Sequence, residues 1–241
     1  MNHTDSFLSN PKSKRIYNRM LFTIVAPRYR IVTQLLSWGR DAVWKRHLVA
    51  SLPDITTPNI IDIASGTGDI ALACAKRFPN GNICALDLTS AMVASRQKNG
   101  TTGRVNFAIQ DMCHLGIKSG TAEILTGGYA LRNAPDLAQA LIEVVRVLKP
   151  GGTAAFLDFS KPENRFVAAV EYIILAGWGC FIGLLMHGKP WVYWYIAKSL
   201  RQFPNHTELC QKCAQSGLIV ERKQFFFFGI VSLLICRKHQ N

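Results

Sequence analysis

Apolar residues recur along this chain in two rhythms. Short β-branched runs bounded by turn residues read as buried strands: residues 60–64, 82–87, 105–110, 123–127 and 153–158. Between them, apolar positions return at helical spacing over residues 70–78, 89–98 and 136–148. The last of these is the strongest, and Lys149-Pro150-Gly151-Gly152 stops it. Strands alternating with helices imply a parallel sheet with right-handed crossovers. Residues 218–228 and 230–236 read as a closing antiparallel hairpin across Gly229. The expected architecture is α/β, a seven-stranded, mostly parallel sheet with a C-terminal antiparallel hairpin.

The remaining segments are helical additions. Residues 1–14 are polar, with Pro11, and are expected to be a disordered tail. Residues 15–36 read as two basic, apolar helices broken at Pro27, and 41–52 as an amphipathic helix. Residues 164–200 form an aromatic-rich helical insertion after the fifth strand, and 207–215 a last helix. One domain is expected: cap helices over 15–52, a core over 53–163, a helical lid over 164–204, and the final helix and hairpin over 205–241. Within the lid, the uncharged run 172–186 falls short of the ~18 residues of a spanning helix, so it is read as buried or membrane-facing.

Charge adds a partner class. The net charge is +13 and the pI about 9.7, while only 18% of residues are charged. That balance suggests a polyanion: nucleic acid or an anionic membrane surface. The seven cysteines sit mostly in apolar runs and read as reduced, buried thiols, which favours the cytosol. Cys210 and Cys213 have metal-ligand spacing but no second pair, so no metal is expected. No signal-peptide pattern is read before Leu21.

The candidate chemistry lies where the first strand meets its helix, at Asp62-Ile63-Ala64-Ser65-Gly66-Thr67-Gly68-Asp69. Glycines let a ligand approach the backbone, and the helix start offers free N–H groups. The loop is neither Gly-x-Gly-x-x-Gly nor a Lys-Ser/Thr phosphate loop. It carries acids, and Asp87 closes the second strand about 20 residues on, the place of a ribose-hydroxyl acceptor in Rossmann-like folds. Acids there suit a nucleoside with a cationic, amino-acid-bearing tail, and S-adenosylmethionine fits. Asp111, Arg132 and Asp158 also fall at or just past strand ends, where ligands bind in such sheets.

Three stretches narrow this further: Leu131-Arg132-Asn133, Arg146-Val147-Leu148-Lys149-Pro150-Gly151-Gly152 and Leu157-Asp158-Phe159-Ser160-Lys161-Pro162. With them and Trp44-Lys45-Arg46, the chain resembles the menaquinone/ubiquinone biosynthesis C-methyltransferases, within the class I S-adenosylmethionine-dependent methyltransferases, over about residues 17–237. The resemblance implies a ring-carbon methyltransferase acting on a prenylated quinol. It assigns catalysis to Tyr29, Arg132 and Asn133. It implies a cofactor set of Asp62, Ser65, Gly66, Thr67, Gly68, Asp69, Asp87, Leu88, Asp111, Met112 and Gly128. Asp87 would accept from the ribose and Asp111 from the adenine amino group, with Met112 against the ring. Arginine is always protonated, so Arg132 is read as stabilising a phenolate and orienting a water rather than as a base.

The chain departs from the family pattern at Arg30 after Tyr29, at Thr33, and at Gly127-Gly128-Tyr129-Ala130 before Leu131. These departures face the expected acceptor pocket and bear on which ring is bound. Other readings are a different small aromatic or lipid acceptor, a nucleic-acid methyltransferase and a non-catalytic platform. The chain lacks an Asn/Asp-Pro-Pro-Tyr motif after the fourth strand, and its basic residues are interleaved with large apolar ones, so a membrane surface is expected and nucleic acid is not. A cytoplasmic enzyme, peripheral at the membrane, is expected; a homodimer is left open.

Overall fold

The computed structural model describes residues 10–96 and 102–240. Helix α1 (Pro11–Val25) leads through a 3₁₀ turn, Ala26–Arg28, into α2 (Tyr29–Leu36) and then α3 (Asp41–Ala50). The core follows: β1 (Asn59–Ile63), α4 (Asp69–Arg77), β2 (Asn82–Asp87), α5 (Ser90–Ala94), β3 (Val105–Ile109) and β4 (Ala122–Gly128). A 3₁₀ turn, Leu131–Asn133, precedes α6 (Leu137–Val147) and β5 (Leu148–Phe159). The lid is α7 (Arg165–His187) and α8 (Trp191–Gln202). Helix α9 (His206–Gln215), β6 (Leu218–Phe226) and β7 (Val231–Lys238) complete the chain.

The strands form one sheet in the order β3-β2-β1-β4-β5-β7-β6. β1 through β5 pair in parallel, and β7 lies antiparallel between β5 and β6. Strand alternation divides the core. Ile61 and Ile63 join the cluster under α6 and α9, while Ile60 faces Trp44 and Leu48 of α3 and Ile70 and Leu72 of α4. A third cluster ties α1 and α2 to the lid through Leu21, Val25, Val32, Ile182, Tyr193 and Tyr195. β1 turns back from β2 toward β4, so the open carboxyl ends of β1 and β4 mark the switch point where a ligand fits.

Several expectations are corrected. The first helix begins at Pro11, where the Asn10 side chain accepts from the amides of Lys12 and Ser13. Residues 11–14 are therefore helical rather than tail, and residues 1–9 lie outside the described residues. The 89–98 helix is regular only over Ser90–Ala94; positions 97 and 98 lie outside the described residues. The fifth strand starts earlier, at Leu148. The hairpin does not turn on Gly229 alone. A 3₁₀ turn spans Phe227–Gly229, with Phe227 and Phe228 in the left-handed region at φ 50° and 57°. The lid run read as too short to span lies in a helix of 23 residues, long and apolar enough to cross a membrane by length and composition.

Candidate active site

The loop after β1 is built for close approach. Ala64, Gly66 and Gly68 have φ of 48°, 58° and 84°. A Cβ on Gly68 would stand 2.8 Å from the Phe107 ring, so both backbone and space call for glycine there. Asp87 anchors the loop: one carboxylate oxygen accepts from Gly66 N and the other from Thr89 N, both at 2.8 Å. Burial raises its pKa, and those two amide bonds oppose the shift. Asp87, Leu88, Asp111, Met112, Gly66 and Gly128 share one cavity at the strand ends.

A smaller cavity adjoins it, lined by Asp62, Ser65, Thr67, Asp69 and Gly128. Asp69 pairs with Lys45 at 2.8 Å, and Lys45 with Asp41 at 2.7 Å. Asp62 is buried, accepting from Thr126 Oγ1 at 2.8 Å and Ala71 N at 3.2 Å, and burial pushes its pKa to about 7. It holds the loop from beneath. Asp111 accepts from Cys113 N at 2.9 Å and pairs with Arg15 at 2.5 Å, so α1 is pinned across the cleft.

These residues fit S-adenosylmethionine. Asp87 and Asp111 line the cleft as acceptors that could take ribose hydroxyls and an adenine amino group, and the mixed-charge pocket with Lys45 and Asp69 could take the amino-acid end. Ser65 Oγ is buried there and has no hydrogen-bond partner among the described residues.

The second half of the site is an apolar cavity of about 220 Å³ between α1, α2, α7 and α8. Tyr29, Tyr129, Asn133 and Phe22 line both this cavity and the cofactor cleft, so they form the partition between the two. Burial raises the pKa of Tyr29 and Tyr129, so both are neutral phenols at physiological pH. Tyr129 is itself strained, with φ 56°.

Arg132 lies against the large cavity, 4% exposed. Its guanidinium stacks on Phe159 at 5.1 Å and faces Tyr195 at 5.8 Å. Nη1 donates to Ser199 Oγ, and Nε is 3.7 Å from Asp158 Oδ1 with no hydrogen-bond partner among the described residues. The Asp158 carboxylate also accepts from Arg132 N at 3.0 Å; burial raises its pKa and Arg132 opposes the rise. Asn133 Nδ2 donates to Tyr129 O at 2.7 Å, leaving Oδ1 without a partner among the described residues. Two groups on α1 brace this turn: Lys14 Nζ donates to Arg132 O at 3.1 Å and Asn18 Nδ2 to Asn133 O at 2.7 Å.

The expected residues thus gather at one end of the sheet, with Tyr29 and Asn133 in the partition and Arg132 across it from the cofactor cleft. Tyr129, read as facing the acceptor pocket, does line that cavity. Sequence reading missed Asn18, Tyr195 and Ser199, which reach the site from α1 and α8. It also missed the Asp41–Lys45 pair, whose i,i+4 spacing was a visible signal.

Sheet order and site together define a class I S-adenosylmethionine-dependent methyltransferase. The fold is similar to that of an S-adenosylmethionine-dependent methyltransferase from Thermotoga maritima, with TM-score 0.64 and 15% identity, covering 92% of this chain and 99% of that one. It is also similar to one from Mesorhizobium loti, with TM-score 0.59 and 16% identity, covering 82% and 98%. The chain belongs to the ubiE/COQ5 methyltransferase family, whose model matches residues 10–238. The demethylmenaquinone methyltransferase of Thermus thermophilus is 32% identical over 215 residues, 88% of this chain and 97% of that one. The ubiquinone/menaquinone biosynthesis C-methyltransferase UbiE of Geobacter sulfurreducens is 32% identical over 227 residues, 92% and 88% respectively.

Proposed function

We propose that this enzyme methylates a ring carbon of a prenylated quinol in quinone biosynthesis, working in the cytoplasm at a membrane surface. The observation that carries the reading is Arg132. It is a buried, aromatic-stacked cation on the wall of an apolar cavity, one tyrosine layer from the cofactor cleft. Family membership and the relatives named above support the same acceptor class.

S-adenosylmethionine supplies an electrophilic methyl group. The chain must supply an electron-rich ring held in line with it. A quinol ring becomes nucleophilic at carbon when a hydroxyl loses its proton. Once the carbon takes the methyl group, its C–H proton leaves, the ring becomes aromatic again and the oxygen regains a proton, so one proton is released per turnover. Arg132 Nε, which makes no hydrogen bond among the described residues and only a 3.7 Å ion pair with Asp158, would bind the resulting phenolate oxygen, and low polarity around it strengthens that attraction. Asn133 Oδ1 would accept from a second hydroxyl. Asp158, raised in pKa by burial and beside Arg132, would take up the departing proton through a water. Tyr29 and Tyr129 would fix the ring plane and exclude bulk water. Asp87, Asp111 and the Gly66–Gly68 loop would hold the nucleoside and amino-acid ends. The remaining apolar wall would take the first isoprene units of the tail.

The test is incubation with labelled S-adenosylmethionine and a panel of demethylated quinols that differ in head group and tail. Mass-resolved methylation of ring carbon on a prenylated quinol is expected. Transfer confined to oxygen or nitrogen acceptors would defeat the proposal.

A further inference from the structure

Helix α7 is one-sided in an unusual sense. Its inward face holds Glu171, Gly179, Ile182 and Gly183. The two glycines are required by α8: a Cβ on either would lie 2.7 Å from a carbonyl oxygen, that of Tyr193 or Lys189. The outward face carries Phe166, Ile173, Ile174, Phe181, Leu184 and Leu185, each more than half exposed. Their spacing returns to one side of a helix turn after turn. No described residue covers this stripe, and residues 1–9 offer only Met1, Phe7 and Leu8 as large apolar side chains.

The stripe is continuous with the acceptor cavity. Ile174 is both on the exposed face and in the cavity wall, and Trp178 lines the cavity from the same helix. Trp38, 68% exposed, stacks on Trp178 with ring centroids 5.5 Å apart and lines the cavity too. An apolar cavity therefore opens through an apolar surface. Basic groups stand at both ends of the helix. Arg165 begins it, Lys189 follows it, and Arg28 Nη1 donates to Met186 O near its C-terminus. The only acid on α7 is Glu171, on the buried face.

We infer that the outer face of α7, with Trp38, inserts into one leaflet of an anionic bilayer, and that the acceptor passes from the leaflet into the cavity beside Ile174 and Trp178 without crossing water. This rests on the reading of the acceptor as lipid-borne. Charge selects the bilayer over a second copy of the chain. Two molecules of net charge +13, paired antiparallel through α7, would bring Arg165 of one against Arg28 and Lys189 of the other. A bilayer of anionic lipid meets the aliphatic stripe with hydrocarbon and the basic ends with phosphate.

The experiment uses a triple variant, I173Q/F181Q/L184Q, all three positions exposed and outside the cavity wall. Partitioning onto vesicles of phosphatidylcholine with phosphatidylglycerol is measured by flotation. Turnover is measured on a vesicle-embedded polyprenyl quinol and on a tail-less, water-soluble one. The variant is expected to bind vesicles at least about tenfold more weakly. It should lose turnover on the embedded acceptor and keep it on the soluble one. Wild-type flotation by the variant, or no flotation of the wild-type enzyme, overturns the inference. So does a wild-type dimer that the variant alone breaks into monomers with unchanged flotation. If neither quinol is methylated while flotation behaves as expected, the acceptor reading has failed and the membrane face stands.

Discussion

The hydroxyl of Tyr129 donates to Asp41 Oδ1 at 2.8 Å, joining the end of β4 to the first residue of α3. Asp41 in turn pairs with Lys45, and Lys45 with Asp69 at the start of the cofactor loop's helix. One chain of contacts therefore runs from the partition between the two cavities to the loop that holds the cofactor. Asp41 and Lys45 are buried and Tyr129 and Asp69 half-buried, which makes the loss of a donor at Asp41 costly. Tyr129→Phe keeps the ring, and Asp41 keeps Lys45. We expect destabilisation of about 1.5 kcal/mol, the lower range for a hydrogen bond to a charged group. Urea unfolding monitored by circular dichroism reads this directly. A variant as stable as wild type would show that the bond contributes nothing.

Asp87 has two tasks. It ties the amides of Gly66 and Thr89, and it lines the cleft. In the proposed binding mode Asp87→Ala removes the ribose acceptor and frees the loop together. S-adenosylmethionine affinity should fall by more than about tenfold, since each hydrogen bond to a charged group contributes ~1.5–3 kcal/mol. Calorimetric titration checks it. Unchanged affinity in a folded variant would place the nucleoside elsewhere.

The sheet was legible in the sequence because its central strands are buried on both faces and read as apolar runs, as at Ala154–Leu157. The cofactor loop was legible because φ above zero demands glycine at 66 and 68. The shell around Arg132 was not. Ser199, Tyr195, Asn18 and Lys14 come from α8 and α1, brought together only by packing, and nothing local in either helix marks them. The aromatic-rich lid could be read from its sequence as buried or membrane-facing. Tyr193 and Tyr195 are buried in the cluster with Leu21 and Val32, and the outer face is chiefly aliphatic. Aromatic composition reports burial as readily as an interface, so the pattern alone could not separate them.

Asp62 gives a pH dependence with a defined sign. Burial raises its pKa from 3.8 to about 7. Between those values the folded protein keeps a proton that the unfolded chain has lost, so its contribution is fullest below the unfolded pKa. It is lost as pH rises through about 7. Stability should therefore decline from pH 5 to pH 8. Asp62→Asn, which keeps an acceptor for Thr126, should flatten the decline. Glu171, pushed up to about 8 by burial, and Asp87 and Asp158, also raised by burial, act with the same sign and would leave a residual slope. Urea midpoints at pH 5, 6, 7 and 8 for both proteins decide it; parallel curves would remove Asp62 as the source.

Arg132→Lys separates charge from shape. The guanidinium carbon lies 5.1 Å from the Phe159 ring centre and 5.8 Å from that of Tyr195, with Nη1 on Ser199 and Nε 3.7 Å from Asp158 and without a hydrogen bond among the described residues. A lysine ammonium keeps the charge opposite Asp158 but cannot stack as a plane or present two donors in fixed directions. The cofactor cleft lies across the partition and Arg132 does not line it. S-adenosylmethionine affinity should therefore stay within about twofold, while turnover falls roughly 10²–10³-fold, the loss typical when one preorganised donor to a developing oxyanion is removed. If the phenolate is what Arg132 stabilises, a more acidic quinol should recover part of the lost rate, because less of its ionisation depends on the protein. Equal losses on acidic and ordinary quinols would assign Arg132 to holding the 3₁₀ turn rather than to the chemistry. Turnover near wild type under saturating acceptor would remove it from the mechanism altogether.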